Sequence, residues 1–458
     1  MQKFTDFAGR LLPHETGYLI DIQHFDDKVK LAVLQRADHN CRRPDAFIAF
    51  DEGIDKRKYS NLKQWMIERL RAIDVDEQHA WLLEVERQIE TDRITPEAEA
   101  RLLDLLAGAS PPDFHFVKLY ELARYYRHFL LIRMRYADHR TVEEFLERHR
   151  SAYERAVEVR EQLHRATLDI VRQYSGEGVQ SLHWENWLNN VFYDEALDGW
   201  NRYMALVRLT FIYYNYRNFE PLREKYDYQD ALFRKGQYYS SRLLTNYYGN
   251  RLLLHIRFQE FDEAEYYGYL SIRVKTADYI HYVNNLCTVL LRRKKYAEAL
   301  AVMKTALPES KTTHSFHNKI GFVAAYLRCL NYTGQHRAAE NYAETYLRAY
   351  RREIFEHRWH AFFTAYIDTL LAQKNYAKAL RVIEKNKLLE HDAHHRDKSY
   401  YLPAIPCYHA LSAYKTGRLT HSDLKNACKS AGFATPSEKN HQAAELSQTL
   451  RQHVPDIF

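Results

Sequence analysis

The sequence predicts an all-α chain in which helical hairpins stack into an α-solenoid behind a small, mostly helical N-terminal domain. Three observations carry this. Gly (14) and Pro (11) are scarce for 458 residues, so few positions break a helix. Apolar residues recur at helical spacing along most of the chain. A small residue also recurs three positions after an aromatic or His, as in Tyr296–Ala299, His336–Ala339 and Tyr376–Ala379.

Residues 1–107 form the expected N-terminal domain. "SNLKQWMIERLRAID" places Leu62, Trp65, Met66, Arg69 and Leu70 on one stripe, and "DEQHAWLLEVERQIE" does the same with Ala80, Leu83 and Ile89. In "ITPEAEARLLDLLAG", Thr95 is the expected N-cap, Pro96 the first helical residue and Gly108 the stop. Before residue 58 the pattern is weak, and "YLIDIQHF" suits a strand or a short helix. "GASPPD" (108–113) reads as a linker. The helical array is expected over 114–435 and a C-terminal tail over 436–458.

The array opens with a long helix pair, "FVKLYELARYYRHFLLIRM" and "TVEEFLERHRSAYERAVEVREQLHRATLDIVRQY". The spacing signal follows, with its anchor at Leu222, Ala264, Ala299, Ala339, Ala379 and, less clearly, Ser422. A helical hairpin cannot bury its apolar face alone, so it stacks on the next. Where two helices come closest only a small side chain fits. The aromatic three positions earlier, Phe261, Tyr296 or Tyr376, is expected to start the second helix and wedge against the first.

These units resemble tetratricopeptide repeats. In the clearest copy, Val283, Leu286, Cys287 and Leu290 match the first-helix pattern. Tyr296, Ala299, Met303 and Ala306 match the second, and Pro308 follows. The next copies match through Val323, Leu327, Leu330, Gly334, Ala339 and Ala343, then Phe363, Ile367, Leu370, Tyr376, Ala379 and Ile383. The resemblance is good over 280–390 and weaker on either side. The family repeats every 34 residues or so, whereas the intervals here are mostly longer, which implies extended helices or loops between repeats. The wider class of helical repeats, including those of peptide-sensing bacterial regulators, is equally similar. The resemblance implies a right-handed α-solenoid that binds peptides or protein segments on the concave face formed by its first helices. On that face it projects Asn284, Asn285, Thr288, Leu291 and Arg292, then Arg328, Asn331 and Tyr332, then Thr364 and Asp368. Asn can hold a peptide backbone, and Arg a carboxylate. The family's carboxylate clamp is not carried over, because only Asn285 matches it.

Charge is uneven. Residues 1–110 carry 16 basic and 21 acidic side chains, whereas 281–458 carry 26 and 15, a net of +11. A basic C-terminal third suits either a solvated face or an anionic partner. The five cysteines are far apart with no Cys-x-x-Cys pair, which fits reduced thiols in the cytoplasm. The N-terminus has no signal-peptide pattern, and no apolar run approaches the ~20 residues that cross a bilayer. Phosphate-loop, nucleophile-elbow and metalloprotease motifs are absent, so the reading is non-catalytic and without a cofactor. In "EHDAHHRD", His391, His394, His395 and Asp397 are close enough to invite a metal. A polar loop in a His-rich chain accounts for them equally, and no metal is assigned. In "WNRYMALVRLTFIYYNYRNF", Tyr203, Leu206, Val207, Phe211 and Tyr214 form a stripe that reads as core.

The expected function is therefore a protein-interaction scaffold or adaptor. One alternative is a peptide-responsive regulator with residues 1–107 as output module. The other is nucleic-acid binding by the basic third, through Arg and Tyr.

Overall fold

The computed structural model describes residues 2–174, 178–394, 401–431, 433 and 441–456. Helix makes up 79 % and no strand is present among the described residues, far above the usual third of a globular chain. None of these helices is long and apolar enough to cross a membrane. The chain divides into two compact units, residues 1–258 and 259–458.

The first unit holds α1 (Gln2–Ala8), α2 (Pro13–Ile22), α3 (Lys28–Arg42), α4 (Lys56–Ile73), α5 (Val75–Glu90), α6 (Pro96–Gly108), α7 (Phe116–Ile132), α8 (Tyr136–Tyr174), α9 (Glu185–Tyr193), α10 (Gly199–Tyr216), α11 (Glu220–Arg234) and α12 (Ser241–Phe258). "YLIDIQHF" is helical as far as Ile22. Thr95 caps α6 by accepting from the Ala98 N–H at 3.3 Å, and Pro96 opens the helix. The stripe on α4 faces inward through Leu62, Met66 and Leu70. On α5 the inward stripe is Val75, Leu82, Val85 and Ile89; Ala80 and Leu83 are exposed. The segment "WLLEVERQI" supports either stripe, and the one with more apolar side chains packs against α7.

Residues 1–107 share this unit with residues 114–258. The Tyr239 hydroxyl donates to Glu15 at 2.6 Å, the Val75 N–H donates to the Tyr239 carbonyl at 2.8 Å, and Arg242 pairs with Asp76 at 2.7 Å. His14 joins the Tyr248 hydroxyl (2.7 Å) to Asp230 (2.8 Å). Burial would raise the Asp230 carboxyl, but His14, Tyr247 and Arg234 together pull it down to about 2.

The second unit holds α13 (Phe261–Ser271), α14 (Tyr279–Arg292), α15 (Tyr296–Thr312), α16 (Phe316–Tyr332), α17 (His336–Ala349), α18 (Arg351–Glu356), α19 (Trp359–Ala372), α20 (Tyr376–Lys385), α21 (Leu388–Ala393), α22 (Ala404–Lys415), α23 (His421–Ser430) and α24 (His441–His453). First helices α14, α16, α19 and α22 each pack on the next. Second helices α15, α17, α20 and α23 pack on the first helix of their own pair. The intervals above 34 residues are filled by the short helices α18 and α21 and by the 17-residue helices α15 and α16.

The spacing signal has a backbone counterpart. Arg217, Gln259, Lys294, Gly334, Lys374 and Gly417 all take left-handed φ, between 55° and 78°, and each lies five residues before its anchor. In the four turns of the first-to-second-helix pairs in the second unit the hydrogen bonds repeat. The Lys295 N–H donates to Leu290 O at 2.9 Å and the Lys294 N–H to Leu291 O at 3.0 Å. Gln335 and Gly334, Asn375 and Lys374, and Arg418 and Gly417 make the same pair of bonds. This is the Schellman closure, which satisfies the last carbonyls of a helix and requires a left-handed residue. Two residues past it the next helix begins, so Phe261, Tyr296, His336 and Tyr376 are all first helical residues.

Leu222, Ala264, Ala299, Ala339 and Ala379 are fully buried. Ser422 is exposed, because Thr420 and Asp423 form a capping box that starts α23 later, at His421; Leu424 and Cys428 are buried in its place. The Tyr296 ring stacks on Tyr332 of the following first helix, with centroids 4.5 Å apart and planes at 5°. Ion pairs link a hairpin turn or second helix to the second helix before it. Glu265 receives Arg293 (2.9 Å) and Lys295 (2.6 Å), Lys378 binds Glu340 and Glu344, and Arg418 binds Glu384 at 2.9 Å.

Candidate functional site

On α14, Val283, Leu286, Cys287 and Leu290 are buried. The stripe beside them carries Asn284, Asn285, Thr288, Leu291 and Arg292. On α16 the matching stripe is Gly321, Ala324, Ala325, Arg328 and Tyr332. These ten residues, with Arg358, Ala361 and Glu445, line one cavity of about 240 Å3. Gly321, Ala324 and Ala325 leave its floor without bulk, while the longer side chains stand around it.

Gly321 has a specific task. A Cβ there would lie 2.8 Å from Arg358 Nη1 and 3.4 Å from Asn284 Nδ2, so only glycine lets the Arg358 guanidinium come this close. Arg358 Nε donates to His317 Nε2 at 2.8 Å. Burial and the Arg358 charge push the His317 imidazole below its usual range. His281, 3.2 Å from the Asn285 amide, is pushed down chiefly by burial, with Arg358 adding to it. At the opposite end the Tyr332 hydroxyl donates to Glu445 Oε1 at 3.2 Å. Burial and the Glu445 charge push that phenol up. Among the described residues the lining carries three guanidiniums and one carboxylate.

Seven of the ten residues projected onto the binding face lie here: Asn284, Asn285, Thr288, Leu291, Arg292, Arg328 and Tyr332. Asn331, Asp368 and the buried Thr364 do not. The Asn331 amide donates to Ala365 O on α19 at 3.4 Å, as Asn284 donates to Asn318 O on α16 at 3.0 Å. Both thus brace successive first helices. Asp368 is withdrawn among the helices, accepts from Tyr408, and burial pushes its carboxyl up to about 6. Thr288 spends its hydroxyl hydrogen on Asn284 O at 3.0 Å. Asn284 Oδ1 is buried and has no hydrogen-bond partner among the described residues.

Gly321, Arg358 and Glu445 were not legible as site residues. Arg358 sits between α18 and α19, where the repeat pattern is interrupted. Glu445 arrives from 113 residues beyond Tyr332.

No group of His, Cys, Asp and Glu among the described residues is arranged to hold a metal ion. His391 packs on Phe355 and Trp359, and His394 Nδ1 lies 2.8 Å from Glu390 O; His395 and Asp397 lie outside the described residues. No family model, no curated protein and no solved structure matches the chain.

Proposed function

We propose that this chain is a non-catalytic protein-interaction scaffold. In this reading the pairs from α14 to α23 are tetratricopeptide-like repeats stacked as a right-handed α-solenoid, and a peptide or protein segment binds on the face of their first helices. The observation that carries the reading is the convergence of Asn284, Asn285, Thr288 and Arg292 from α14 with Arg328 and Tyr332 from α16 and Arg358 ahead of α19 on one cavity. Guanidiniums suit carboxylates, and Arg and Tyr are residue types that anchor interfaces. The basic excess of the C-terminal third favours an acidic segment. Several of its cations, Lys378 on α20 and Arg293, Lys295 and Arg418 in the turns ahead of second helices, are committed to ion pairs, which weighs against a nucleic-acid surface there.

The test is selection from a random displayed-peptide library against the full chain. Acidic sequences should be enriched. Arg292→Ala/Arg328→Ala should lose their binding, while Arg381→Ala/Lys385→Ala, altered at exposed positions of α20, should keep it. Equal binding by the two variants would contradict the reading. Loss in the α20 variant alone, with steep salt dependence, would favour nucleic acid.

A further inference from the structure

Two cysteines from different repeats meet in the core of the second unit. Cys287 lies on α14 and Cys329 on α16. They are 42 residues apart in sequence, and their sulfurs are 3.4 Å apart. Both side chains are 0 % exposed. Among the described residues each sulfur is the other's only hydrogen-bond partner. Cys41, in the first unit, differs: its thiol donates to Leu11 O at 3.0 Å.

The repeat itself shows that packing does not require sulfur at either position. Counted back from the left-handed turn residues Lys294, Gly334, Lys374 and Gly417, Cys287 stands seven positions before its turn. The other first helices place Leu327, Ile367 and Ala410 there. Cys329 stands five positions before its turn, where the others place Val289, Thr369 and Ser412. All six of these are buried. At the next two junctions the same two positions hold Leu327 with Thr369 and Ile367 with Ser412. Only the α14–α16 junction has a thiol at both.

We propose that Cys287 and Cys329 are a redox modification site, at which hydrogen peroxide converts the two thiols into a reversible disulfide that fastens α14 to α16. In the first step the thiolate sulfur of one cysteine attacks a peroxide oxygen. The O–O bond breaks, a sulfenic acid forms and water leaves. In the second step the other sulfur attacks the sulfenic sulfur. The S–O bond breaks, the S–S bond forms and the hydroxyl leaves as water with the remaining thiol proton. Two thiols and one peroxide thus give one disulfide and two waters. Burial keeps large oxidants out and holds the Cys287 thiol protonated, so the first step is slow and answers sustained oxidation. The second step finds its partner already in contact. The sulfurs have only about 1.4 Å to close to reach S–S bond length. Cys287 is next to Thr288 and Cys329 next to Arg328, both of which line the cavity, so the disulfide would fix the spacing of two cavity walls. The assignment holds whatever the cavity binds.

The test treats the full native chain with hydrogen peroxide for hours, alkylates remaining thiols in denaturant and maps the digest by mass spectrometry. Met134, 70 % exposed, reports the dose through its sulfoxide. By the time Met134 is fully oxidised, more than half of Cys287 should be in a peptide cross-linked to Cys329, and dithiothreitol should release it. Oxidation should also raise the urea midpoint of the second unit, because the link closes a long loop of the unfolded chain. Cys329→Ala should show no such rise; should that variant not fold, the cross-link map of the parent decides alone. Both thiols still alkylated once Met134 is fully oxidised would overturn the proposal. So would sulfinic acid at either residue without a cross-link, or a disulfide joining either one to a different cysteine.

Discussion

Lys294→Gly and Lys374→Gly should stabilise the second unit, although each replaces a residue with no visible fault. Both lysines are exposed and hold φ of 60° and 57°. A Cβ in this region crowds the following carbonyl, at a cost of about 1–2 kcal/mol. Glycine removes that cost, but its freer unfolded chain returns about 0.4–1 kcal/mol. The net expectation is a gain of about 0.5–1 kcal/mol per site. Gly334 and Gly417 give the reverse experiment. Their φ are 73° and 78°, and an added Cβ would meet nothing within 4 Å, so Gly→Ala there carries the conformational cost alone, again about 0.5–1 kcal/mol. The assay is urea unfolding followed by far-UV circular dichroism. A chain of two units need not unfold in one step, so the quantity compared is the midpoint of the transition that all four variants move. The Lys→Gly pair should raise it and the Gly→Ala pair lower it. Two neutral or destabilising Lys→Gly variants beside two neutral Gly→Ala variants would refute the equivalence of these turns.

Asp368→Asn should stabilise the chain above pH 6. The folded carboxyl stands at about 6 against an ordinary 3.8. Both states are protonated below 3.8, the unfolded state ionises first as pH rises, and stability falls until the folded group titrates. Two pH units correspond to about 3 kcal/mol, so urea melts at pH 8 should favour the Asn variant by up to that amount and at pH 3.5 by little; a parent favoured at pH 8 would contradict the assignment. Ala339→Leu and Ala379→Leu should each cost about 1–3 kcal/mol by overpacking, since both alanines are fully buried between helices; melts that coincide with the parent's would refute the close contact. Cys287, 3.4 Å from the Cys329 sulfur and buried with it, has its thiol held up by that contact and by burial, so an aromatic disulfide reagent should label it only after unfolding; rapid labelling of Cys287 in the native chain would count against this packing.

The parts of the fold that could be read were those encoded locally. A helix start written as an aromatic or His followed three residues later by Ala depends on one turn of chain, and Phe261, Tyr296, His336 and Tyr376 all begin helices. The turn residues were half legible. Gly334 and Gly417 advertise a left-handed residue, whereas Lys294 and Lys374 do the same work with no compositional signal. For the site, projecting the first helices found Arg292, Arg328 and Tyr332 because their stripe points away from the apolar one. Asn331 and Asp368 sit at the edge of that stripe, and whether an edge position faces solvent or the next helix depends on packing between pairs. Gly321 was invisible for the same reason, since its need for no side chain appears only once Arg358 is beside it. Glu445 was beyond local reasoning altogether, and the segment holding it had been expected as a tail.

The most direct test of the account is where a bound acidic peptide lies. A library-selected acidic peptide, carrying a photoreactive benzophenone beside its carboxylate, is cross-linked to the full chain and the adducts are mapped by mass spectrometry. The account predicts adducts on residues 284–292 of α14 and 321–332 of α16, lost when Arg292 and Arg328 are replaced by Ala. Adducts on second helices or in residues 1–258, or adducts indifferent to the arginines, would contradict it.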